Sequence, residues 1–466
     1  MYRAFGNRPV SCSQPSVVSL RTEVRRVLRQ HPMSPNASLS FAPHAWDSGA
    51  LYRLGSQMVA HRFVSAAMTH SDLLYVYAAR ALRGFGDGFA IIILPVYLAA
   101  IGFTAPQIGI VATASLMGTA ILTLVVWMIA PRFELRSLLL AGAALATITG
   151  LAFPAIESFA FVLLVSFIGS INPSGGDLGP LVPLEHAKLT QEAADTERTR
   201  VFARYSLIGA LATAAGSLAA AAPDVLTSLG LAPVTALKAM FLCYAGLGAL
   251  AAVLYSRLPR DHTHVAQTPK VALGPSRGIV YKLAALFSLD AFAGGFIVQS
   301  LLALWLFERF ELSLSAASLF FFWSSVFSAF SFPVAAWLSK RIGLINTMVF
   351  THIPSSLCLI AAAFSPNLTI ALTLLLIRSA LSQMDVPTRS SYVMAVVTPP
   401  ERAAAASVTA VPRSLASAIS PAIAGLMLAG PFSALPLVAC GVLKIGYDLA
   451  LLAMFRTTKP PEEIAG

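Results

Sequence analysis

The stretch of sequence that decides the fold class is residues 73–101, which read LLYVYAARALRGFGDGFAIIILPVYLAAI. Apart from three charged side chains, it consists of apolar and small residues. As a helix it is long enough to cross about 30 Å of hydrocarbon. Similar stretches follow along the chain. We expect twelve membrane-spanning helices, named spans 1 to 12, near residues 73–101, 106–130, 136–156, 159–182, 200–222, 236–257, 280–306, 314–338, 343–364, 368–394, 403–429 and 432–455.

The composition of the whole chain is typical of a protein solvated by lipid. Hydrophobic residues make up 57% of the chain and charged residues only 11%, whereas soluble domains carry about 25% charged residues. A net charge of +11 can indicate nucleic acid binding, but membrane proteins also keep an excess of Lys and Arg on cytoplasmic loops. We therefore expect an all-α polytopic protein that contacts the lipid bilayer and has no nucleic acid partner.

Residues 1–71 differ from the rest of the chain. They contain eight arginines, no lysine and no long apolar run. This composition resembles an organellar transit peptide, and it also fits a disordered tail or a start codon misassigned ahead of Met58 or Met68. Because the segment has no apolar face to bury, we expect a disordered N-terminal tail.

The charges of the loops predict the orientation in the membrane. Most of the Lys and Arg residues between spans lie on the side of the N-terminus, whereas the opposite loops hold Arg309 and, at a helix edge, Lys238. The positive-inside rule therefore places both termini in the cytoplasm. Only seven of the 32 basic residues are lysine, which suggests a GC-rich bacterial genome and hence a bacterial inner membrane.

An internal repeat divides the chain into two halves. Gly88-Phe89 recurs as Gly295-Phe296, an offset of 207 residues, and Glu197-Arg198 recurs as Glu401-Arg402, an offset of 204. Two parallel six-span halves are typical of transporters whose solute site lies between the halves near the midplane. The expected segments are a tail at 1–71, halves at 72–257 and 280–457, a linker at 258–279 and a C-terminal tail at 458–466.

These features resemble the major facilitator superfamily, over about residues 72–457. Residues 336–343, AWLSKRIG, resemble the family's loop motif, which implies a gating role for Lys340, Arg341 and Gly343. Residues 80–88, RALRGFGDG, resemble helix 1 of the drug–proton antiporter branch. Arg378, within LIRSALSQ, resembles an arginine motif that the family links to proton transfer. The resemblance also implies that spans 1, 4, 7 and 10 line a solute cavity.

Ionisable side chains within the spans are the candidates for function, because lipid excludes a charge that faces no cavity or partner. Asp87, Asp290 and Asp385 are the candidates for proton coupling. Loss of water around a mid-membrane carboxylate favours its protonated form, which lets it carry a proton. The candidate solute contacts or ion-pair partners are Arg83, Arg378, Arg413, Asn172 and Asp177.

A second interpretation makes some of these charges structural. Arg83 with Asp87, and Lys444 with Asp448, are spaced at i,i+4 and suit local ion pairs. Span 4 contains the run NPSGGDLGP at residues 172–180, which we expect to bend or open the helix because of its Gly and Pro residues.

The sequence thus predicts a monomeric, proton-coupled secondary transporter that exports small organic compounds. Uptake of a metabolite is the alternative, and a membrane-embedded enzyme or a transport-dead sensor is the alternative of another class. No segment resembles a nucleotide-binding loop. The four cysteines lie far apart, so we expect no cofactor and no metal site.

Overall fold

The computed structural model describes the backbone of residues 48–155, 157–174, 179–192, 198–260, 273–456 and 458, and most of their side chains from residue 72 onward. These residues form helices and short connections, and no β-strand occurs among them. The chain divides into two compact units, Met1–Ser65 and Ala66–Gly466. Among the described residues, the helices that can cross a membrane lie in the second unit.

The all-α fold expected from the sequence is confirmed. Among the described residues, eleven helices are long and apolar enough to cross a membrane, and a shorter apolar helix stands at the place of span 4. The helices are Ser48–Ala100 (span 1), Ala105–Ile129 (span 2), Leu135–Ala155 (span 3), Phe159–Ile168 and Leu181–Glu192 (span 4), Arg198–Ala219 (span 5), Pro233–Ser256 (span 6), Arg277–Gly295 and Gln299–Phe310 (span 7), Leu314–Ile342 (span 8), Leu344–Ala363 (span 9), Leu368–Ser382 and Asp385–Val396 (span 10), Arg402–Leu428 (span 11) and Leu435–Phe455 (span 12).

Span 4 is interrupted where the sequence has its Asn-Pro run. Its first helix ends at Ile168, earlier than the expected end at residue 182. The Asn172 side-chain oxygen accepts hydrogen bonds from the Ser174 backbone N–H at 3.0 Å and from the Ser174 hydroxyl at 2.8 Å. Such local bonds compete with helical ones, and Pro173 disfavours a helical conformation at Asn172.

Spans 7 and 10 are also interrupted, which the sequence analysis did not predict. In span 7, the N–H groups of Phe296 and Ile297 bond to carbonyls three residues back. In span 10, Met384 and Val386 do the same. Pro387 explains the second break, because it has no N–H to bond the Gln383 carbonyl.

The first helix begins at Ser48, within the segment that we expected to be disordered. The backbone of residues 48–71 is therefore helical, and the disordered tail remains a prediction. No proline occurs between Pro43 and Pro95, so no residue in this stretch prevents the helix from extending toward the N-terminus. Residues 1–47 lie outside the described residues, and the boundaries of the predicted domains remain predictions.

The internal repeat is visible in the way that the helices pack. Gly88 of span 1 lies so close to span 5 that a Cβ atom there would overlap the Thr213 carbonyl oxygen. Gly295 of span 7 lies equally close to Ser417 of span 11. The two glycines are 207 residues apart and their two partners 204, as in the sequence repeat. The same close contact therefore holds spans 1 and 5 together in one half and spans 7 and 11 in the other.

The apolar core is shared between the halves at one end of the molecule only. A single large cluster contains residues of both halves, from Phe89 and Leu98 to Phe296 and Leu306. It reaches the end at which spans 1 and 2 connect, named the closed end. Toward the other end, named the open end, the core separates into one cluster of residues 76–258 and another of residues 280–455.

Contacts between the halves follow the same asymmetry. Near the closed end, Asp224, which follows span 5, accepts hydrogen bonds from the Ser315 backbone N–H at 3.0 Å and its hydroxyl at 2.7 Å. The Thr113 hydroxyl of span 2 accepts from the Ala422 N–H of span 11 at 2.9 Å. The interrupted spans 4 and 7 also meet, since the Ser300 N–H donates to the Pro173 carbonyl at 3.1 Å.

Candidate functional site

A buried charged cluster lies in the first half, beside the interruption of span 4. Arg83 of span 1 forms an ion pair with Glu185, which stands on the second helix of span 4. Glu185 is fully buried and also accepts hydrogen bonds from the hydroxyls of Tyr205 and Tyr255, each at 2.5 Å. Arg83 donates to the Tyr205 hydroxyl at 3.1 Å. The carboxylate charge is thus balanced within the half.

The local pair of Arg83 with Asp87 that the spacing suggested does not form. Asp87 instead accepts a hydrogen bond from the Tyr244 hydroxyl at 3.4 Å, and the Tyr244 hydroxyl lies 3.2 Å from that of Ser170 in span 4. In the described part of the chain, no cation lies within ion-pair distance of Asp87. Arg83 is directed to span 4 because Glu185 offers it a buried carboxylate there.

A second charged cluster occupies the equivalent region of the other half. Asp290 of span 7 forms ion pairs with Lys444 of span 12 at 2.6 Å and with Arg389 of span 10 at 2.9 Å. Arg389 also pairs with Asp385 at 3.1 Å. Two of the three predicted proton-coupling acids therefore meet at one arginine, and both hold a cation in this conformation.

Span 9 adds a histidine to this second cluster. His352 Nδ1 lies 3.0 Å from Asp448, and His352 Nε2 lies 3.2 Å from the Lys444 amine. The local pair suggested for Lys444 and Asp448 therefore does not form, because each side chain binds a partner on another span. An ammonium group can only donate, so a hydrogen bond from Lys444 requires Nε2 to accept, and in that tautomer the Nδ1 proton is directed to Asp448.

The principal ion pairs of the two halves correspond, with the charges exchanged. Arg83 and Asp290 are related by the repeat offset of 207 residues, and Glu185 and Arg389 by the offset of 204. Both pairs link the first span of a half to the second helix of its interrupted fourth span. The repeat therefore preserves the position of the pair and reverses its polarity.

Arg378 and Arg413 form no ion pair with an acid among the described residues. Both were predicted as solute contacts or ion-pair partners. No hydrogen bond or ion pair of the Arg378 guanidinium occurs within the described residues, and its ionisable neighbour is the Cys440 thiol. The Arg413 Nε atom is buried without a hydrogen-bond partner. Arg413 lies near Asp290 and Asp385, which are already engaged with other cations.

The remaining candidates are separate from these clusters. Asn172 caps the interruption of span 4, and its amide nitrogen is buried without a partner. Asp177 lies outside the described residues.

The loop-motif residues Lys340 and Arg341 are exposed at the end of span 8, where Arg341 stacks over Trp337 at 4.3 Å. Gly343 has a φ of 86°, in the left-handed region that favours glycine, and it connects spans 8 and 9.

Glu185, His352 and the tyrosines that bond Glu185 and Asp87 are cluster residues that were not predicted from the sequence. Span 4 was expected to end at residue 182, which assigned Glu185 to a loop. The offset of 204 residues from Arg389 was the signal that could have identified it. For His352 no comparable signal exists in the sequence. No cluster of His, Cys, Asp and Glu side chains suited to a metal ion occurs in the described ranges, and the expected absence of a cofactor remains a prediction.

Comparisons with known proteins agree with this architecture. A yeast protein, uncharacterized membrane protein YJR124C of Saccharomyces cerevisiae, is 23% identical over 435 residues, which cover 85% of this chain and 97% of that protein. The solved structure of the nucleoside transporter NupG is similar, with a TM-score of 0.66 at 16% identity, covering 83% of this chain and 99% of that one. The D-xylose-proton symporter gives a TM-score of 0.64 at 14% identity, covering 84% and 98%. At these identities, the likeness to solved structures shows the fold.

The family itself is established by the sequence. The family model described as Major Facilitator Superfamily matches residues 76–382 and 283–466. These matches together extend over both halves and include the charged clusters of each. The chain is a multi-pass membrane protein that belongs to the Major Facilitator Superfamily.

Proposed function

We propose that this chain is a secondary transporter that moves a small organic solute by alternating access and couples the movement to protons. Membership of the family and the transporters that share its fold point to transport rather than to an enzyme. The observation that carries the proposal is the asymmetric core, which is continuous between the halves at the closed end and divided at the open end. Two halves that rock about a central site would exchange these two arrangements.

Proton coupling is assigned first to Asp87. It is half-buried, its described polar contact is the Tyr244 hydroxyl, and no described cation lies within ion-pair distance of its carboxylate. Burial of a carboxyl group without a cation favours the protonated form, whereas contact with water favours the ionised one. A change of access therefore changes the proton affinity of Asp87, as coupling requires.

We propose that the open end faces the cytoplasm, together with both termini, and that the membrane is a bacterial inner membrane. This end carries the exposed Lys340 and Arg341, and the positive-inside rule supports the assignment. The proposed direction is export, in keeping with the resemblance of residues 80–88 to the drug–proton antiporter branch. Uptake is the alternative, and the sign of the pH gradient that accelerates flux distinguishes the two.

The test is a panel of solute fluxes in proteoliposomes that contain the full chain as a monomer, with and without an imposed pH gradient. At least one small organic solute should move, faster with the gradient than without it, and proton flux should accompany it. If no member of a chemically broad panel moves, a sensor without transport activity replaces the proposal.

Asp87→Asn should abolish the response of the flux to the pH gradient while leaving expression and folding intact. The reason is that Asp87 pairs with no described cation, so its neutralisation leaves no charge unpaired. Asp290→Asn and Asp385→Asn are the controls, because they remove counter-ions of Arg389 and should reduce the yield of folded protein. Flux of Asp87→Asn with the normal pH dependence would show that Asp87 only orients Tyr244.

A further inference from the structure

Most of the interior cations discussed above are neutralised by an acid on another span. Arg83 is paired with Glu185, Arg389 with Asp290 and Asp385, and Lys444 with Asp290. Each of these acids is itself buried. An unpaired charge in such surroundings is costly, which is why buried charges occur in pairs.

Arg378 departs from this pattern. It is half-buried on the first helix of span 10, four residues before the helix ends at the interruption. The neighbours of this helix segment are hydroxyl groups rather than acids. The Ser355 hydroxyl of span 9 donates to the Arg378 carbonyl at 3.3 Å, and the hydroxyls of Ser324 and Ser379 lie 2.7 Å apart. The Cys440 thiol is an ionisable neighbour of its guanidinium, and a buried thiol carries no charge to balance it.

Arg413 is the second cation without an acid of its own. Its span lies between the halves, since Gly425 of span 11 approaches Gly109 of span 2 and Ser417 approaches Gly295 of span 7. The acids near Arg413 are Asp290 and Asp385, and each already holds Arg389. Arg413 therefore adds a positive charge to a cluster whose acids are occupied.

The cost of these two charges depends on the state of the transporter. While the open end admits water, hydration compensates a guanidinium that lacks a counter-ion. When the halves close over the site and water leaves, the same group loses that compensation. A bound anion restores it, and it does so with the charge-assisted, two-pronged hydrogen bonds that arginine makes to carboxylates and phosphates.

We propose that the transported solute is an organic anion, carrying a carboxylate or a phosphate, and that Arg378 is its principal charged contact with Arg413 as the second. This inference rests on the proposed transport function and names its substrate class. The anion supplies the charge that the interior lacks, so that the halves close more readily with solute bound than without it.

The experiment offers each of several carbon frameworks in three charge forms to the full chain in proteoliposomes. Gluconate, glucose and glucosamine form one set, and benzoate, benzamide and benzylamine another, with glucose 6-phosphate as the phosphate probe. Uptake is measured as counterflow, and binding is measured as thermal stabilisation of the purified protein. Anionic members should be bound and moved in preference to their neutral and cationic counterparts.

Arg378→Gln should weaken the binding of the anionic probes by about tenfold to a hundredfold, the loss expected for one charge-assisted contact. Arg378→Lys should restore part of it, because the positive charge returns without the two-pronged geometry. Arg413→Gln should weaken binding less. The matched control is Arg341→Gln, which removes an exposed guanidinium at the end of span 8 and should leave binding unchanged.

The outcomes separate this inference from the proposed function. Transport of neutral or cationic members with no preference for anions would remove the anion inference and leave the transporter intact. Equal anion binding by Arg378→Gln and the unmodified chain would also remove it. Absence of flux for every member would remove the transport proposal and the inference with it.

Discussion

Glu185 illustrates how much a single residue can determine inside this fold. Its carboxylate is fully buried and receives Arg83 together with the hydroxyls of two tyrosines from spans 5 and 6. Four spans are therefore joined at one side chain. Glu157 makes an ion pair as well, with Lys238 at 2.7 Å, but the Glu157 side chain is 62% exposed. The two carboxylates differ in burial rather than in chemistry.

Glu185→Gln should therefore lower the stability of the folded protein by about 3 to 5 kcal/mol, because it leaves the Arg83 charge buried without a counter-ion. Glu157→Gln should change it by less than about 1 kcal/mol, since water screens an exposed pair. Thermal unfolding in detergent, compared at one pH and salt concentration, measures both. Similar losses from the two variants would contradict the role given to Glu185.

At the scale of helices, the contact between spans 2 and 11 determines how closely the halves meet. A Cβ atom on Gly109 would lie 2.9 Å from the Gly425 Cα, and one on Gly425 would lie 3.0 Å from the Gly109 Cα. Backbones can approach so closely only where side chains are absent, as is common between membrane helices. Gly246 of span 6 has no atom near its missing side chain and provides the comparison.

Gly425→Val should push span 11 away from span 2 and destabilise the closed end by about 1 to 3 kcal/mol. Gly246→Val places the same side chain in open space and should have little effect. Thermal unfolding and the labelling of cysteines introduced at the closed end measure the change. If Gly425→Val is as stable as the unmodified chain, and its closed-end cysteines are labelled no faster, then this contact does not hold the halves together.

At the scale of the whole molecule, alternating access requires the closed end to open. Asp224 and Ser315 join the two halves there through hydrogen bonds of 3.0 and 2.7 Å. The pair belongs to segments that follow span 5 and begin span 8, which lie in different halves. Separation of these two residues is therefore a necessary part of the proposed transport cycle.

A disulfide between cysteines introduced as Asp224→Cys and Ser315→Cys, with the native cysteines replaced, should stop transport when oxidised. Reduction should restore the flux, because the link prevents only the opening of the closed end. Either single cysteine variant serves as the control for oxidation. Undiminished flux through a fully cross-linked protein would contradict a rocking movement of the halves.

The interruptions show where sequence reasoning succeeded and where it did not. The Asn-Pro run of span 4 predicted a bent or open helix, and Pro387 carries the corresponding signal for span 10. Span 7 has no proline at its break, and Gly294 and Gly295 directly precede its turn at Phe296 and Ile297. Just beyond the turn, the Ser300 N–H donates to the Pro173 carbonyl of the opposite half. A contact across halves leaves no local pattern in a single sequence.

The sequence by itself determined the class of protein, the succession of apolar spans, the repeat and the presence of charges within the membrane. These properties follow from composition and from periodicity along one chain. The tertiary structure decided which charges meet: Arg83 binds Glu185 rather than Asp87, and Lys444 binds Asp290 rather than Asp448. The physical reason is that a side chain pairs with whichever charge the rotation and packing of neighbouring helices bring within about 4 Å, and spacing along one helix does not contain that information.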